Sequence, residues 1–276
     1  MVTQRILKQS LRVSALVLAL SGLPSGAAIP QITDYTYRPK SVYGAGDVRV
    51  KADSRVYPWT ALGRFNRAGR GHCTATVVAH RIVATAAHCI VNKNTGGYMS
   101  PDSLHFVAGW DRGEYNFHSI ATELHPAPKH DPLQPPTLSM VANDWALIVL
   151  EKDPVPVTGI IRPVPYTEDI FWKLREAKTV FTQAGYSGDR GQVLTAHPDC
   201  LMLGFTKGRP IAEHNCQAVP GDSGSPIVYA DKDGKSYLLA AVHSAHTKNR
   251  LGGKGFAVPS SSFLKELEKL KKQIGS

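Results

Sequence analysis

The stretch Pro220-Gly221-Asp222-Ser223-Gly224-Ser225-Pro226, with the apolar run Ile227-Val228-Tyr229 behind it, has the make-up of a nucleophile turn. A serine hydroxyl is a weak nucleophile at neutral pH, so it needs a base for its proton and donors for the oxyanion that forms. Glycines around Asp222 and Ser223 let the chain turn tightly and bring the N–H groups of Gly221 and Ser223 toward a carbonyl with no Cβ in the way. The same residue types dominate ordinary surface turns, so the choice falls to their companions. Upstream, Ala84-Thr85-Ala86-Ala87-His88-Cys89 follows the β-branched pair Ile82-Val83, and Asn143-Asp144-Trp145 opens the apolar run Ala146-Leu147-Ile148-Val149-Leu150. An imidazole at His88 would accept the proton of Ser223, and a buried carboxylate at Asp144 would hold its tautomer and stabilise the imidazolium.

The chain order His, Asp, Ser, with TAAHC, NDWALIVL and PGDSGSP all in place, resembles the chymotrypsin-like serine proteases rather than the subtilisin or α/β-hydrolase arrangements. The resemblance runs from about Val42 to the C-terminus. Val42 to Arg49 and Tyr57 to Arg64 resemble the start of the mature domain in the glutamyl endopeptidase branch, and the IVGG string of the digestive enzymes does not occur. The resemblance implies an all-β fold of two antiparallel six-stranded β-barrels with a C-terminal α-helix. His88 and Asp144 would come from the first barrel, and Ser223 with the Gly221 and Ser223 N–H groups from the second. It also implies hydrolysis of protein or peptide substrates through an acyl-enzyme, with no cofactor.

Substrate choice is read from the same comparison. The position six residues before the nucleophile, an acid in trypsin-like enzymes, is Gln217, so a preference for Lys or Arg is not supported. The strand Ala240 to Ser244 aligns, by its distance after Ser223, with the strand that carries a carboxylate-binding histidine in glutamyl endopeptidases. His243 is therefore the candidate reader of an acidic side chain, flanked by Ser244 and His246, and a preference for Glu, and less for Asp, is expected. The competing reading of His243 is a barrel histidine satisfied by a neighbouring backbone group. His246 stands where the family has a small residue, and Lys254 is a second cation near the pocket. Two further readings stay open, a protease for small apolar side chains and a catalytically silent scaffold that holds a ligand in the cleft.

With 276 residues, 42% of them hydrophobic, the chain suits one large or two ordinary domains with a real core. Met1 to Arg12 carries Arg5, Lys8 and Arg12 without an acid, Val13 to Leu20 is apolar, and small residues follow at 25–28. This reads as a signal peptide over 1–27, since eight apolar residues fall short of the ~20 that cross a bilayer. Its removal takes three cations from the formal +10 and leaves +7. No Lys/Arg run with interleaved aromatics marks a nucleic-acid groove, and a secreted monomer with no membrane contact is expected.

The four cysteines of an exported protein point to two disulfides, for which three pairings exist. The resemblance implies Cys73 with Cys89, tying the first barrel to the histidine turn, and so Cys200 with Cys216. A zinc cluster of His72, Cys73, His88 and Cys89 is the alternative, but it lacks close ligand pairs and His88 has the other role.

Residues 28–41 read as a propeptide or loose arm, so the protein would be a zymogen, with barrels over 42–155 and 156–259 and Pro154-Val155-Pro156 between them. Short strand-like runs recur with turn signals, at Cys73 to Val78, Arg81 to Ala84, Leu104 to Ala108, Tyr115 to Leu124 and Trp145 to Leu150. A second series runs over Val180 to Ala184, Leu201 to Phe205, Pro226 to Ala230, Ser236 to His243 and Gly255 to Val258. Only 260–276 reads as helix, with Phe263, Leu267, Leu270 and Ile274 on one stripe and serines at 260–262 offered as its cap.

Overall fold

The computed structural model describes residues 46–134, 137–247 and 253–275. The expected signal peptide and arm lie outside the described residues. In chain order the strands are β1 (Val50–Lys51), β2 (Leu62–Arg67), β3 (His72–Ala79), β4 (Ile82–Thr85), β5 (Val91–Asn92), β6 (Gly97–Tyr98), β7 (Leu104–Ala108), β8 (Phe117–Pro126), β9 (Ala146–Leu150), β10 (Arg162–Pro163), β11 (Phe181–Gly185), β12 (Thr195–Cys200), β13 (Met202–Phe205), β14 (Ala212–His214), β15 (Pro226–Ala230), β16 (Tyr237–His246) and β17 (Gly255–Pro259). The helices are α1 (Leu138–Val141), α2 (Val155–Thr158), α3 (Glu168–Glu176) and α4 (Leu264–Ile274).

Strands β2, β3, β4, β9, β8 and β7 close into a six-stranded barrel, every neighbouring pair antiparallel. Closure removes the exposed edges that open sheets carry. The second half is a curled sheet of nine strands in the order β1, β12, β11, β15, β16, β17, β14, β13, with β10 joining β16 in parallel. Strand β1 precedes the first barrel in sequence yet pairs with β12 of the second sheet, Val50 opposite Ala196. The chain therefore begins its described part as a strap across the second half.

The strands form where β-branched and apolar residues run in short blocks. All five residues of β9 are buried, as an apolar run without alternation requires. A strand at Leu62–Arg67, with alternate positions partly open to solvent, is not among those expected from the sequence. Helix α3 is a further element absent from the sequence reading. Thr167 caps it by accepting from the Ile170 N–H at 3.3 Å, with Glu168 and Asp169 in its first turn. Its mixed apolar and charged text, EDIFWKLRE, carries a short stripe that buries Phe171.

Phe263 and, on α4, Leu267 and Leu270 join a core cluster shared by the two halves, the Phe263 ring 6.0 Å from that of Trp145. The serines do not cap it, because Ser260 Oγ donates to the carbonyls of Val164 and Ala240 and Ser261 Oγ to that of Tyr166. They tie the helix entry to the second sheet instead. Among the described residues no helix is long and apolar enough to cross a membrane.

Candidate active site

Asp144 and His88 meet at the end of the first barrel. His88 sits in a short helical turn, Ala87–Ile90, directly after β4, and Asp144 directly precedes β9, the partner of β4. Adjacent strands thus deliver the two side chains to one edge. His88 Nδ1 lies 2.7 Å from Asp144 Oδ2, and the His88 backbone N–H donates to Oδ1 at 2.8 Å. Ser244 Oγ also donates to Asp144 Oδ2. Burial opposes charge on Asp144, but the facing imidazole and these hydrogen bonds outweigh it and hold the carboxyl at about 2. A carboxylate so held fixes Nδ1 of His88 as the protonated nitrogen and leaves Nε2 with a lone pair that can accept a proton.

Ser244 reaches Asp144 because β16 bulges there. His243 pairs with Ala257 and Ala245 with Phe256, so Ser244 is left over in the ladder and leans out of it. A side chain from the second half thus completes the environment of a carboxylate from the first.

The Ser223 turn is laced to both halves. Thr74 N–H of β3 donates to the Ser223 carbonyl at 2.9 Å, and Gly224 N–H donates to the His243 carbonyl at 2.8 Å. Gly224, at φ +84, has no room for a side chain, since a Cβ would lie 2.1 Å from the Thr74 carbonyl oxygen. The Pro220 carbonyl accepts from Gly188 N–H at 2.7 Å. A trans peptide points its C=O and N–H in opposite directions, so this bond turns the Gly221 N–H the other way. The flanking N–H groups of Asp222, Gly224 and Ser225 all have internal acceptors, while those of Gly221 and Ser223 have none among the described residues. Two neighbouring unsatisfied donors beside a serine make an anion site. The Ser223 hydroxyl is not hydrogen-bonded to His88 Nε2 in this structure, a contact that commonly tightens only around bound substrate.

The cysteines form Cys73–Cys89 and Cys200–Cys216, with S–S distances of 2.04 and 2.14 Å. The first places the disulfide next to His88, with Cys89 Sγ 3.8 Å from the Ser223 carbonyl oxygen. Cys73, His88 and Cys89 do lie close enough together to suggest ligands. Their sulfurs are bonded to each other rather than present as thiolates, and His72 is occupied between Tyr186 O at 2.8 Å and Arg64 at 3.2 Å.

The specificity candidates fall out differently. Gln217 gives both ends of its amide to the backbone of the N-terminal strap, donating to Gly46 O at 2.7 Å and accepting from Val48 N–H at 3.0 Å. Ser244 is committed to Asp144. His246 donates through Nδ1 to the Thr247 carbonyl at 2.8 Å and lines a cleft of about 740 Å³ that His88 and Asp144 also border. Lys254 is paired with Glu213 at 2.7 Å.

His243 is buried at 4% exposure, and behind it stands His214, fully buried on β14, which the sequence reading passed over. Cys216 N–H donates to His214 Nδ1 at 3.1 Å, and His214 Nε2 lies 3.1 Å from His243 Nδ1. The chain of donors sets the tautomers: His214 Nδ1 accepts, its Nε2–H donates to His243 Nδ1, and the proton of His243 is left on Nε2. Burial pushes His214 down to about 3, with His246 and His197 adding to the effect. Burial likewise pushes His243 well below its usual range, ahead of the neighbouring His214, His246 and His88. The alternation of Ala212 and His214, both buried around a half-exposed Glu213, is the signal that marks His214 as inward-facing.

Comparison with known proteins agrees with this architecture. The proclotting enzyme of Tachypleus tridentatus is 28% identical over 221 residues, which cover 68% of this chain and 56% of that protein. Clotting factor C of the same organism is 26% identical over 58% of this chain and 18% of its own length. The glutamyl endopeptidase of Bacillus licheniformis is 28% identical over 107 residues, 32% of this chain and 34% of that protein. The chain thus spans about half or less of the length of these relatives. A solved structure of Glu endopeptidase in complex with MPD superposes with a TM-score of 0.60 at 21% identity, over 83% of this chain and 98% of that one, a likeness of fold. The family model described as Trypsin matches residues 47–267, through both halves of the fold and all three of His88, Asp144 and Ser223, and the chain belongs to the trypsin family.

Proposed function

We propose that the protein is an exported serine endopeptidase in which Ser223 is the nucleophile, His88 the general base and Asp144 its orienter. The observation that carries this reading is the conjunction at one edge of an imidazole held by a buried carboxylate and a serine turn whose Gly221 and Ser223 N–H groups have no internal acceptor. Ser223 Oγ attacks the substrate carbonyl while His88 Nε2 takes its proton. Asp144 stabilises the imidazolium, and the two N–H groups receive the oxyanion. His88 then protonates the leaving amine, and water cleaves the acyl-enzyme by the same steps in reverse.

For specificity, the reading best supported is cleavage after Glu, and less after Asp. The tautomer chain from Cys216 through His214 leaves a neutral His243 with a donor at Nε2 and no protein partner for it among the described residues. A donor to a charged acceptor is worth ~1.5–3 kcal/mol, or about 10- to 150-fold between Glu and its uncharged isostere Gln. The basic leader over 1–27 supports export. The barrel boundary near Pro154 to Pro156 and a monomeric state complete the proposal. Cleavage-site profiling of a peptide library on wild type and His243→Ala tests it. Wild type is expected to cut after Glu and the variant to lose that preference; equal cleavage of Glu and Gln peptides by wild type would contradict the acidic reading.

A further inference from the structure

Strands β2 and β3 and the turn between them carry three arginines, Arg64, Arg67 and Arg70, and among the described residues none of the three has a carboxylate within ion-pair distance. Arg64 is held in place. Its Nη2 donates to His72 Nδ1 at 3.2 Å, and His72 Nε2 donates to the Tyr186 carbonyl at 2.8 Å, so this imidazole is neutral and offers no counter-charge. The guanidinium carbon of Arg64 lies 5.5 Å from the centre of the Trp110 ring. Arg67 Nη2 donates to the Arg70 carbonyl at 2.8 Å. Arg64 Nε, Arg67 Nε and Trp110 Nε1 are buried donors with no acceptor among the described residues, whereas buried donors as a rule find a partner. Burial works against the charge of both Arg64 and Arg67, and Arg70 adds to it at Arg67. Half-buried cations with donors to spare have the make-up of an anion site.

The cluster adjoins the Ser223 turn. Arg64 stands directly opposite Thr74 in the β2–β3 ladder. Thr74 donates its N–H to the Ser223 carbonyl at 2.9 Å and its hydroxyl to the Gly221 carbonyl at 3.1 Å. Directly opposed residues keep their Cβ atoms about 5 Å apart, so Arg64 is one ladder step from the turn. His72 is as near, since a Cβ on Gly221 would lie 3.0 Å from its Nε2. The cleft bordered by His88, Ser244 and His246 has no residue of β2 or β3 in its lining. An extended peptide with its acyl half in that cleft passes Ser223 and leaves on the opposite flank, toward the hairpin. The first two residues past the scissile bond span ~7 Å, which brings one of their side chains within reach of Arg64. We propose that Arg64, aided by Arg67, reads a carboxylate on the leaving side of the scissile bond, so that Asp or Glu is favoured as the first or second residue after the cut. The proposal rests on the peptidase reading above and adds a second acidic position to the one assigned to His243. The contact is a charge-assisted hydrogen bond from Arg64 Nη1, which has no partner among the described residues. The place of the cluster beside Ser223 favours a peptide acid over a polysaccharide sulfate as its ligand.

The test uses quenched peptides that share one acyl half, the best cut in a peptide library, and differ only in Asp against Asn, or Glu against Gln, at the first and second leaving-side residues. Wild type, Arg64→Met, Arg64→Lys and Arg67→Met are compared as full chains, with kcat/KM referred to the concentration of sites titrated by a fluorophosphonate. Wild type is expected to favour the acid about tenfold at one of the two positions. That preference should fall about threefold between ~0.05 and ~0.5 M salt, because a partly exposed pair is screened. Arg64→Met should bring the ratio to about one, Arg67→Met should lower it about threefold, and Arg64→Lys, which keeps the charge, should retain part of it. A purely structural role for Arg64 would slow acidic and neutral peptides alike and leave their ratio standing. That result, or a wild-type ratio near one at both positions, overturns the proposal. Inhibition by dextran sulfate that Arg64→Met removes, with flat peptide ratios, would make the cluster a polysaccharide site and overturn it too. A wild type that cuts no peptide and never labels at Ser223 would instead overturn the peptidase reading, so the two failures are distinct.

Discussion

The N–H of Gly224 donates to the carbonyl of His243 at 2.8 Å, so the residue after the proposed nucleophile and the proposed reader of the substrate side chain share one hydrogen bond. His243 N–H in turn donates to the Ser225 carbonyl at 2.8 Å. The strand that carries His243 is therefore part of the frame that holds Ser223, and β16 carries Ser244 onward to Asp144 within one more residue. On the proposed function, chemistry and selectivity would depend on the same few bonds between the turn and one strand.

Ser244→Ala removes a donor to a carboxylate that is itself only 6% exposed. A hydrogen bond to a buried charge is worth ~1.5–3 kcal/mol, so the variant is expected to lose about that much stability and a factor of about ten in kcat. Urea unfolding together with steady-state kinetics checks both. Unchanged stability would mean that the hydroxyl does not reach Asp144.

His214→Phe should reduce Glu over Gln discrimination by about tenfold while leaving kcat for an uncharged substrate within about threefold, because His214 acts only by fixing the tautomer of His243. The ratio of kcat/KM for paired peptides is the measurement. Since both imidazoles are pushed toward the neutral form, the same ratio in wild type should be flat between pH 6 and 8; a tenfold fall per pH unit would identify an imidazolium as the reader.

Stability should fall on acidification below about pH 6. The unfolded chain protonates His214 and His243 near 6.5, whereas the folded chain does not. Each contributes stability that is present above that pH and lost below it, at about 1.4 kcal/mol per pH unit. Asp222 has the opposite sign: raised to about 6, its folded form takes up a proton first and adds stability as the pH falls from 6 toward 4. His197, pushed by burial down to about 4, acts in the same sense as His214 and His243, so the histidines outweigh the one carboxyl and the net is a loss of stability over that range. Denaturant midpoints from pH 7 to 4 should show it, and midpoints that rise toward pH 4 would contradict it.

Much of this was legible in the sequence because the chemistry demands particular residues in particular turns. Gly221 and Gly224 flank Ser223 where φ is +104 and +84, and the strands β3, β4, β7, β8, β9, β15 and β17 lie within two residues of the apolar runs that predict them. What escaped is what depends on contacts between distant segments. Helix α3 hides because its nine residues bury only Phe171, too short a stripe to stand out. Gln217 reads as a pocket residue from its distance to Ser223, but the strap from Gly46 captures it, 171 positions away. His214 gains its meaning only from His243, which the fold and not the spacing brings beside it.

Replacing Cys73 and Cys89 together by Ser opens a loop of 16 residues and should cost on the order of 3 kcal/mol by chain entropy. Because Cys89 adjoins His88, a fall in kcat should accompany it. Non-reducing peptide mapping combined with urea unfolding checks the bond and its worth; a mapped Cys73–Cys200 bond would contradict the arrangement.

The most direct measurement of the central claim is covalent labelling with a fluorophosphonate followed by mass spectrometry of the digested chain. A single adduct on the peptide carrying Ser223 is expected, absent in Ser223→Ala and formed at least about 1000-fold more slowly in His88→Ala, since hydroxyl attack needs the imidazole base. No adduct on folded wild type, or one at another residue that persists in Ser223→Ala, would contradict the account.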